Sequence, residues 1–207
     1  MSGELVLYTH PNSRGRVARW MLEEVAAPYR AEFLDYGAEM KSKSYLAVNP
    51  MGKVPALRHG EAVITETAAI CAYLADAFPE AGLAPPVDAR AAYYRWLFFG
   101  AGPMEAAIVN TALQFEPPED KRGMVGYGSF ATVLDVLQSE VSARPYLAGD
   151  RFSAADVSVG SLLFWSMQFG LVEKRPAFVG YWARISERPA YLRAAGIDDA
   201  ALEAKAD

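Results

Sequence analysis

Hydrophobic and polar positions in the first 78 residues follow two different periods. The run Leu5-Val6-Leu7-Tyr8 is typical of a buried strand, whereas apolar residues between Arg16 and Val25 recur with the spacing of one helix face. Further segments of both kinds predict strands at 31–34, 53–57 and 62–64, a helical turn at 44–48 and a helix over 67–78. The predicted order of elements is β-α-β-α-β-β-α.

The pattern changes in the segment from Phe78 to Pro86, whose prolines and glycine cannot continue a helix. Beyond it no strand is evident, and the helical period returns over 88–113, 128–142, 153–170 and 177–188. We therefore expect an α/β domain over residues 1–78, a linker over 79–87 and an all-α domain over 88–207.

Composition excludes several classes of protein. Of the 207 residues, 52% are hydrophobic, and the net charge of −5 includes no basic block, which argues against disorder and nucleic-acid binding. The longest uncharged run, 157–172, is too short and too polar to cross a membrane, and the N-terminus lacks the pattern of a leader. Cys71 is the only cysteine, so no internal disulfide can form, and a reducing, cytoplasmic location is expected. His10 and His59 have no partners at metal-ligand spacing, and we expect no metal.

Two neighbouring motifs carry the strongest functional signal. Residues 49–57 read Asn-Pro-Met-Gly-Lys-Val-Pro-Ala-Leu, and residues 63–70 read Val-Ile-Thr-Glu-Thr-Ala-Ala-Ile. A proline beside a short apolar strand and an acid-hydroxyl pair at a helix start can present backbone amides and a carboxylate to a small peptide. Taken separately, the proline could merely protect a sheet edge and Glu66 with Thr67 could merely cap the helix.

The chain resembles the cytosolic glutathione transferases over nearly its whole length. Three segments carry the resemblance: the proline loop at 49–55, the acid-plus-hydroxyl helix start at 65–70, and Phe152-Ser153-Ala154-Ala155-Asp156-Val157 in the second half. In the last segment Ser153 and Asp156 have the spacing of a capping box, which stabilises a helix start. The resemblance implies a thioredoxin-like α/β domain followed by an all-α domain.

The resemblance also implies a binding mode for glutathione as co-substrate. In the family the Val54-Pro55 bond would be cis, and the backbone of Val54 would pair with the cysteine of glutathione as an added strand. Glu66 and Thr67 would bind the γ-glutamyl amino and carboxylate groups, helped by the helix amides. Lys53 would bind the glycyl carboxylate.

The group that activates the thiol is expected in the turn after the first strand. Lowering the pKa of a thiol by about two units requires about 2.7 kcal/mol of preferential interaction with the thiolate. Ser13 is the first candidate. Aligning the end of the helix at residues 22–24 instead places Asn12 where serine-type relatives have their hydroxyl. Tyr8 resembles the residue of tyrosine-type relatives, although it could simply be a wall of the site.

The charges of the first predicted helix oppose its dipole. Arg14, Arg16 and Arg19 lie near its positive end, and Glu23 and Glu24 near its negative end. One hypothesis is that Arg14 or Arg16 attracts an anionic ligand or the carboxylate of a partner subunit. The alternative is a local ion pair between Arg19 and Glu23, with the other charges solvated.

An apolar pocket for the second substrate is expected between the domains. The residues assigned to it are His10, Phe99, Met104, Phe164 and Trp165. Aromatic residues at helical spacing are also common in ordinary cores, so each assignment competes with a packing role.

Three functions follow from these features. The first is conjugation of glutathione, bound as thiolate, to an apolar electrophile, as in detoxification. The second is a glutathione-dependent disulfide reductase or peroxidase, which Asn12 keeps open, and the third is a non-catalytic binding or assembly protein on the same fold. The resemblance further implies a homodimer with contacts near residues 93–96, and no nucleic-acid or membrane partner is expected.

Overall fold

Four short strands in the first part of the chain form one mixed sheet in the computed structural model, which describes residues 3–206. The strands are β1 (Leu5–Thr9), β2 (Tyr29–Phe33), β3 (Ala56–His59) and β4 (Ala62–Thr65). Their order is β2-β1-β3-β4, with β1 parallel to β2 and the other two pairs antiparallel. Leu5, Val6 and Leu7 are buried, as their uninterrupted apolar run predicts.

Three helices lie between these strands or follow them. They are α1 (Gly15–Val25), the short α2 (Lys43–Leu46) and α3 (Thr67–Ala77). The order β-α-β-α-β-β-α is confirmed, with element ends shifted by a few residues. His59, for example, belongs to β3 rather than to the turn. Cys71 on α3 is buried, and burial raises the pKa of its thiol to about 12, so it is a core residue.

The remaining helices fill the rest of the chain. They are α4 (Ala91–Phe99), α5 (Glu105–Ala112), α6 (Phe130–Ala143), α7 (Ala154–Gln168), α8 (Pro176–Ser186) and α9 (Pro189–Ala206), with a π-helical turn at Gly100–Met104. No helix among the described residues has the length and apolar character needed to cross a bilayer. The thioredoxin-like α/β part and the all-α part are the expected fold class.

Contacts divide the chain into two compact units. One comprises the residues up to Gly82 together with those from Glu187 onward, and the other is Leu83–Ser186. The sequence pattern grouped the last twenty residues with the helical domain and indicated no helix there. Helix α9 instead packs against α1 in the first unit.

In the second unit α4 packs against α7, and α8 packs against both α6 and α7. The capping box at the start of α7 is confirmed. The Asp156 carboxylate is fully buried and accepts hydrogen bonds from the backbone amides of Leu147 and Ser153 and from the hydroxyls of Ser153 and Tyr181. Burial raises the pKa of Asp156, and these donors oppose the shift. The carboxylate therefore joins three segments of the unit.

Four α1 charges that oppose the helix dipole are paired with α9 or with Arg188, the residue before it. Arg16 lies 2.6 Å from Asp199, and Arg19 lies 2.9 Å from Asp198. At the other end of α1, Glu23 is bonded to Arg193 at 3.0 Å, and Glu24 accepts two hydrogen bonds of 2.6 Å from Arg188. Arg19 and Glu23 share the hydroxyl of Tyr29 instead of pairing directly. These four ion pairs join α1 to α9 and to the residue before it.

Candidate functional site

The proline loop leads into β3 at one end of the sheet. The Val54-Pro55 peptide bond is cis, the isomer implied by the family resemblance. Lys53 is exposed, Val54 is half-buried and Pro55 is buried. Gly52 has φ 57°, and a β-carbon there would lie 2.6 Å from the carbonyl oxygen of Met40, so only glycine fits.

Two buried side chains hold the loop from inside. The Tyr45 hydroxyl and the Asn49 amide both donate to the carbonyl oxygen of Lys53, at 2.6 and 2.7 Å. Burial raises the pKa of Tyr45 to about 12, so its hydroxyl stays a donor at neutral pH. Each such bond contributes about 1 kcal/mol. The loop conformation is thereby set before any ligand arrives.

Lys41 adds a second clamp on the same loop. Its ammonium donates to the carbonyl oxygens of Met51 and Gly52, both at 3.0 Å. Neither Lys41 nor Tyr45 was expected at the site. The motif that contains Asn49 indicated that this loop belongs to a binding site. It could not show which side chains elsewhere in the sequence donate hydrogen bonds to the loop carbonyls.

Glu66 lies at the junction of β4 and α3 with an unusual backbone, φ 69° and ψ 122°. A non-glycine residue in this region is strained by roughly 1–3 kcal/mol. Its exposed side chain makes no capping hydrogen bond to α3, so it is not an ordinary helix cap. The Glu66 carboxylate is therefore exposed and is not used to cap α3.

Strand register brings the predicted binding residues together. Ala56 pairs with Tyr8 on one side and with Thr65 on the other. The end of β1, the proline loop and the start of α3 therefore lie side by side at one end of the sheet. Tyr8 is half-buried, with its ring centre 5.6 Å from that of Tyr45.

The turn after β1 uses the Ser13 hydroxyl internally. Its oxygen donates to the carbonyl of His10 at 2.6 Å and accepts from the amide of Gly15 at 2.9 Å. Gly15 is required here, because a β-carbon would lie 1.9 Å from the Thr9 hydroxyl. The single hydroxyl proton of Ser13 is therefore engaged in the turn.

Asn12 has a different environment from its neighbour. It is exposed. Its backbone amide donates to Nδ1 of His10 at 3.1 Å, and its backbone carbonyl accepts from the hydroxyl of Tyr36 at 2.7 Å. The His10 and Tyr36 rings are in contact, with centres 4.5 Å apart. Both bonds use the backbone of Asn12, and its side-chain amide lies at the surface of the turn.

Two arginines follow in the chain. Arg14 is exposed at the residue before α1. Arg16 donates to the carbonyl oxygen of Pro11 at 2.6 Å as well as pairing with Asp199. Arg16 thus supports the turn. Its guanidinium, which was predicted to attract an anion, is already paired with the carboxylate of Asp199.

The aromatic residues assigned to the second substrate lie in the second unit. Phe164 stacks on Trp182 with ring centres 4.2 Å apart, and Trp165 lies 5.1 Å from Phe164. Phe99 packs edge-on to Trp96 at 5.0 Å. These three assigned side chains are half-buried, whereas Met104 is completely buried.

Comparison with known proteins decides the family. The model of the glutathione S-transferase N-terminal domain matches residues 3–76, and that of the C-terminal domain matches residues 128–189. Glutathione S-transferase F10 of Arabidopsis thaliana is 31% identical over 169 residues, which cover 74% of this chain and 78% of that protein. The chain belongs to the glutathione S-transferase family.

Solved structures of glutathione transferases share the fold. A glutathione transferase of Methylococcus capsulatus superposes with a TM-score of 0.76 at 31% identity, covering 94% of this chain and 98% of the other. The glutathione transferase URE2P6 of Phanerochaete chrysosporium, solved with oxidized glutathione, has a TM-score of 0.79 at 26% identity over 96% of this chain and 97% of its own. Both agree with the two-part fold described above.

Proposed function

We propose that this glutathione transferase binds glutathione along the proline loop and joins it, through its sulfur, to an apolar electrophile. The observation that supports the proposal is the Tyr8–Ala56–Thr65 register, because it aligns the strand ends that lead to Asn12, Val54 and Glu66 at one end of the sheet. These residues offer a strand edge, a carboxylate and a hydrogen-bond donor, which suit the backbone, the ammonium and the sulfur of the tripeptide.

Glutathione is placed as an extra strand beside Val54. The backbone amide and carbonyl of Val54 pair with its cysteine residue, and the Glu66 carboxylate binds the γ-glutamyl ammonium. The hydroxyl of Thr67 and the first amides of the eleven-residue α3 bind the γ-glutamyl carboxylate, which the helix dipole favours. Lys53, exposed on the clamped loop, binds the glycyl carboxylate.

Asn12 is assigned as the donor to the sulfur. The hydroxyl proton of Ser13 already bonds to the His10 carbonyl, so Ser13 shapes the turn. The side-chain amide of the exposed Asn12 can donate without breaking a turn hydrogen bond. Tyr8 becomes a wall of the site. Arg14 remains a proposed electrostatic contributor, since a cation near the turn also favours a thiolate.

The reaction begins with loss of the thiol proton to solvent as glutathione binds. The thiolate sulfur then forms a bond to an electrophilic carbon, and either a leaving group departs with its bonding electrons or the electrons move onto the electrophile, which is then protonated. Stabilisation of the thiolate and proximity of the two substrates supply the rate increase. The half-buried rings of Phe99, Phe164 and Trp165 are the proposed apolar contacts, and fully buried Met104 can only support them.

Asn12→Ala is expected to raise the pKa of the bound thiol by about one unit, because a hydrogen bond to a charged acceptor contributes about 1.5–3 kcal/mol. Ser13→Ala should leave that pKa nearly unchanged and lower the free energy of unfolding by about 1 kcal/mol. Ultraviolet absorbance of the thiolate across a pH series measures the first quantity, and urea unfolding the second. The opposite ranking of the two variants would return the role to Ser13. Conjugation of an aryl halide, assayed in parallel, tests the reaction itself.

Two considerations favour a second reaction. The sulfur-facing position is assigned to an amide rather than a hydroxyl, and the similar URE2P6 was solved with oxidized glutathione. In a disulfide reductase the glutathione thiolate attacks a disulfide sulfur and expels the other sulfur as thiolate. Comparing reduction of a mixed disulfide with conjugation by the same preparation separates the two functions. A chain that binds no glutathione in titration calorimetry would instead be an assembly protein.

We also propose a symmetric homodimer. Within the predicted contact region, 93–96, Tyr93 and Trp96 are buried and Tyr94 is exposed. Phe98, one turn after Tyr94 on α4, is 73% accessible. Val63 on β4 is another exposed apolar residue. Exposed apolar groups of this kind are typical of interfaces. Light scattering should give twice the mass of one chain, and Phe98→Glu should halve it; a monomeric wild type would contradict the dimer.

A further inference from the structure

We infer that His10 and Tyr36 are positioning residues that hold the Asn12 peptide so that its side chain meets the glutathione sulfur. This inference rests on the role of Asn12 in the proposed function and adds two residues to it. His10 was expected to line a pocket for the electrophile, and Tyr36 had no expected role. Their contacts assign them to the thiol instead.

Asn12 is held at both ends of its backbone. Its amide donates to Nδ1 of His10 at 3.1 Å, and the hydroxyl of Tyr36 donates to its carbonyl oxygen at 2.7 Å. The two side chains also contact each other, with ring centres 4.5 Å apart. Amide, imidazole, phenol and carbonyl thus form a closed set of contacts around one residue.

The imidazole must be neutral to act in this way, because Nδ1 can accept a hydrogen bond only when it carries no proton. The proton of the neutral ring then lies on Nε2, which is 3.8 Å from the carboxylate of Asp35. Burial and the charge of Lys205 lower the pKa of His10, against smaller opposite effects of Asp35 and of the backbone hydrogen bond with Asn12. Lys205 on α9 is itself bonded to Asp35. The surroundings of His10 therefore favour the accepting form at neutral pH.

These contacts do not duplicate the bonds that shape the turn. Ser13 already bridges the His10 carbonyl and the Gly15 amide, and Arg16 holds the Pro11 carbonyl. What His10 and Tyr36 add is the orientation of the exposed Asn12 peptide. Small displacements of a catalytic donor cost far more in transition-state stabilisation than in fold stability. Loss of either contact should thus change mainly the pKa of the bound thiol and have little effect on the stability of the fold.

Three variants separate the contacts. His10→Phe keeps a ring against Tyr36 but removes the acceptor, and Tyr36→Phe keeps the ring and removes the donor. His10→Asn places a side-chain oxygen near the position of Nδ1 and cannot titrate. We expect His10→Phe and Tyr36→Phe each to raise the pKa of the bound thiol by about one unit, a roughly ten-fold loss of thiolate below that pKa. His10→Asn should return the pKa to within a few tenths of a unit of the wild type.

Affinity for S-methylglutathione is the control, because this analogue binds as the peptide does but has no thiol to ionise. All three variants should bind it within two-fold of the wild type. An unchanged thiol pKa in His10→Phe and Tyr36→Phe overturns the inference, as does an equal loss of affinity for thiol and S-methyl ligands. An unchanged pKa in Asn12→Ala shows instead that the role of Asn12 in the proposed function is wrong. Combining His10→Phe with Asn12→Ala should add nothing to Asn12→Ala alone.

Discussion

Replacing Glu66 by glycine is expected to stabilise the folded chain while removing most of its affinity for glutathione. The backbone φ of 69° is strained for glutamate, at roughly 1–3 kcal/mol, and allowed for glycine. Glycine loses about 0.5–1 kcal/mol more backbone entropy on folding, so a net gain of about 1 kcal/mol in the free energy of unfolding is expected. Loss of a charge-assisted bond to the γ-glutamyl ammonium should weaken binding roughly 10- to 150-fold.

Glu66→Gln is the matched variant, because it keeps the side-chain shape and the strained backbone and removes only the charge. It should lose affinity without gaining stability. Urea unfolding and titration calorimetry on the same preparations measure the two quantities independently. Wild-type affinity in Glu66→Gly would exclude Glu66 as the partner of the ammonium, and reduced stability in that variant would show that the backbone is not strained.

Asp198→Ala is expected to lower the free energy of unfolding by about 3–5 kcal/mol, because it leaves Arg19 as a buried charge without its carboxylate. Asp198 is fully buried and only 1% of Arg19 is accessible. Burial raises the pKa of Asp198, and Arg19 opposes that shift. Arg19 also lies over the rings of Tyr29 and Phe33, so its guanidinium cannot simply turn into solvent.

Changing both partners should cost much less than changing one. Within the described residues, Nη2 of Arg19 and Oδ2 of Asp198 have no hydrogen-bond partner, so the pair is incompletely satisfied. An apolar pair of similar volume, Arg19→Met with Asp198→Leu, removes both desolvation costs. We expect the double variant to be at least 2 kcal/mol more stable than Asp198→Ala in urea unfolding. A double variant as unstable as the single one would mean that the pair acts through packing rather than charge.

The first sheet and its helices could be predicted because their apolar positions follow one period each. Helix α9 could not, because the side that meets α1 consists mainly of charges and alanines such as Asp198 and Ala194, with Tyr191 as a single aromatic contact to Trp20, and has no continuous apolar stripe. Because α9 was not predicted, the charges of α1 had no visible partners and stayed unexplained. Arginines at the positive end of α1 oppose its dipole locally, and the reason lies in carboxylates almost 180 residues away.

For the site, the sequence identified the two motifs, and the pairing of Ala56 with Thr65 brings the strand after the proline loop next to the strand that leads into α3. The choice between Asn12 and Ser13 could not be made from the sequence, because it depends on where one hydroxyl proton points. Tyr45 and Tyr36 were missed since each bonds to a main-chain carbonyl, a group that every residue carries.

The position of α9 has a consequence for biosynthesis. Helix α1 is made before the whole second unit, and α9, which covers its charged side, is made after that unit. During translation the arginines and glutamates of α1 therefore lack these ion-pair partners until the whole second unit has emerged from the ribosome. The first unit of this transferase is thus completed only after the second unit has been made, and a fragment ending at the linker would lack the part of its core that α9 supplies.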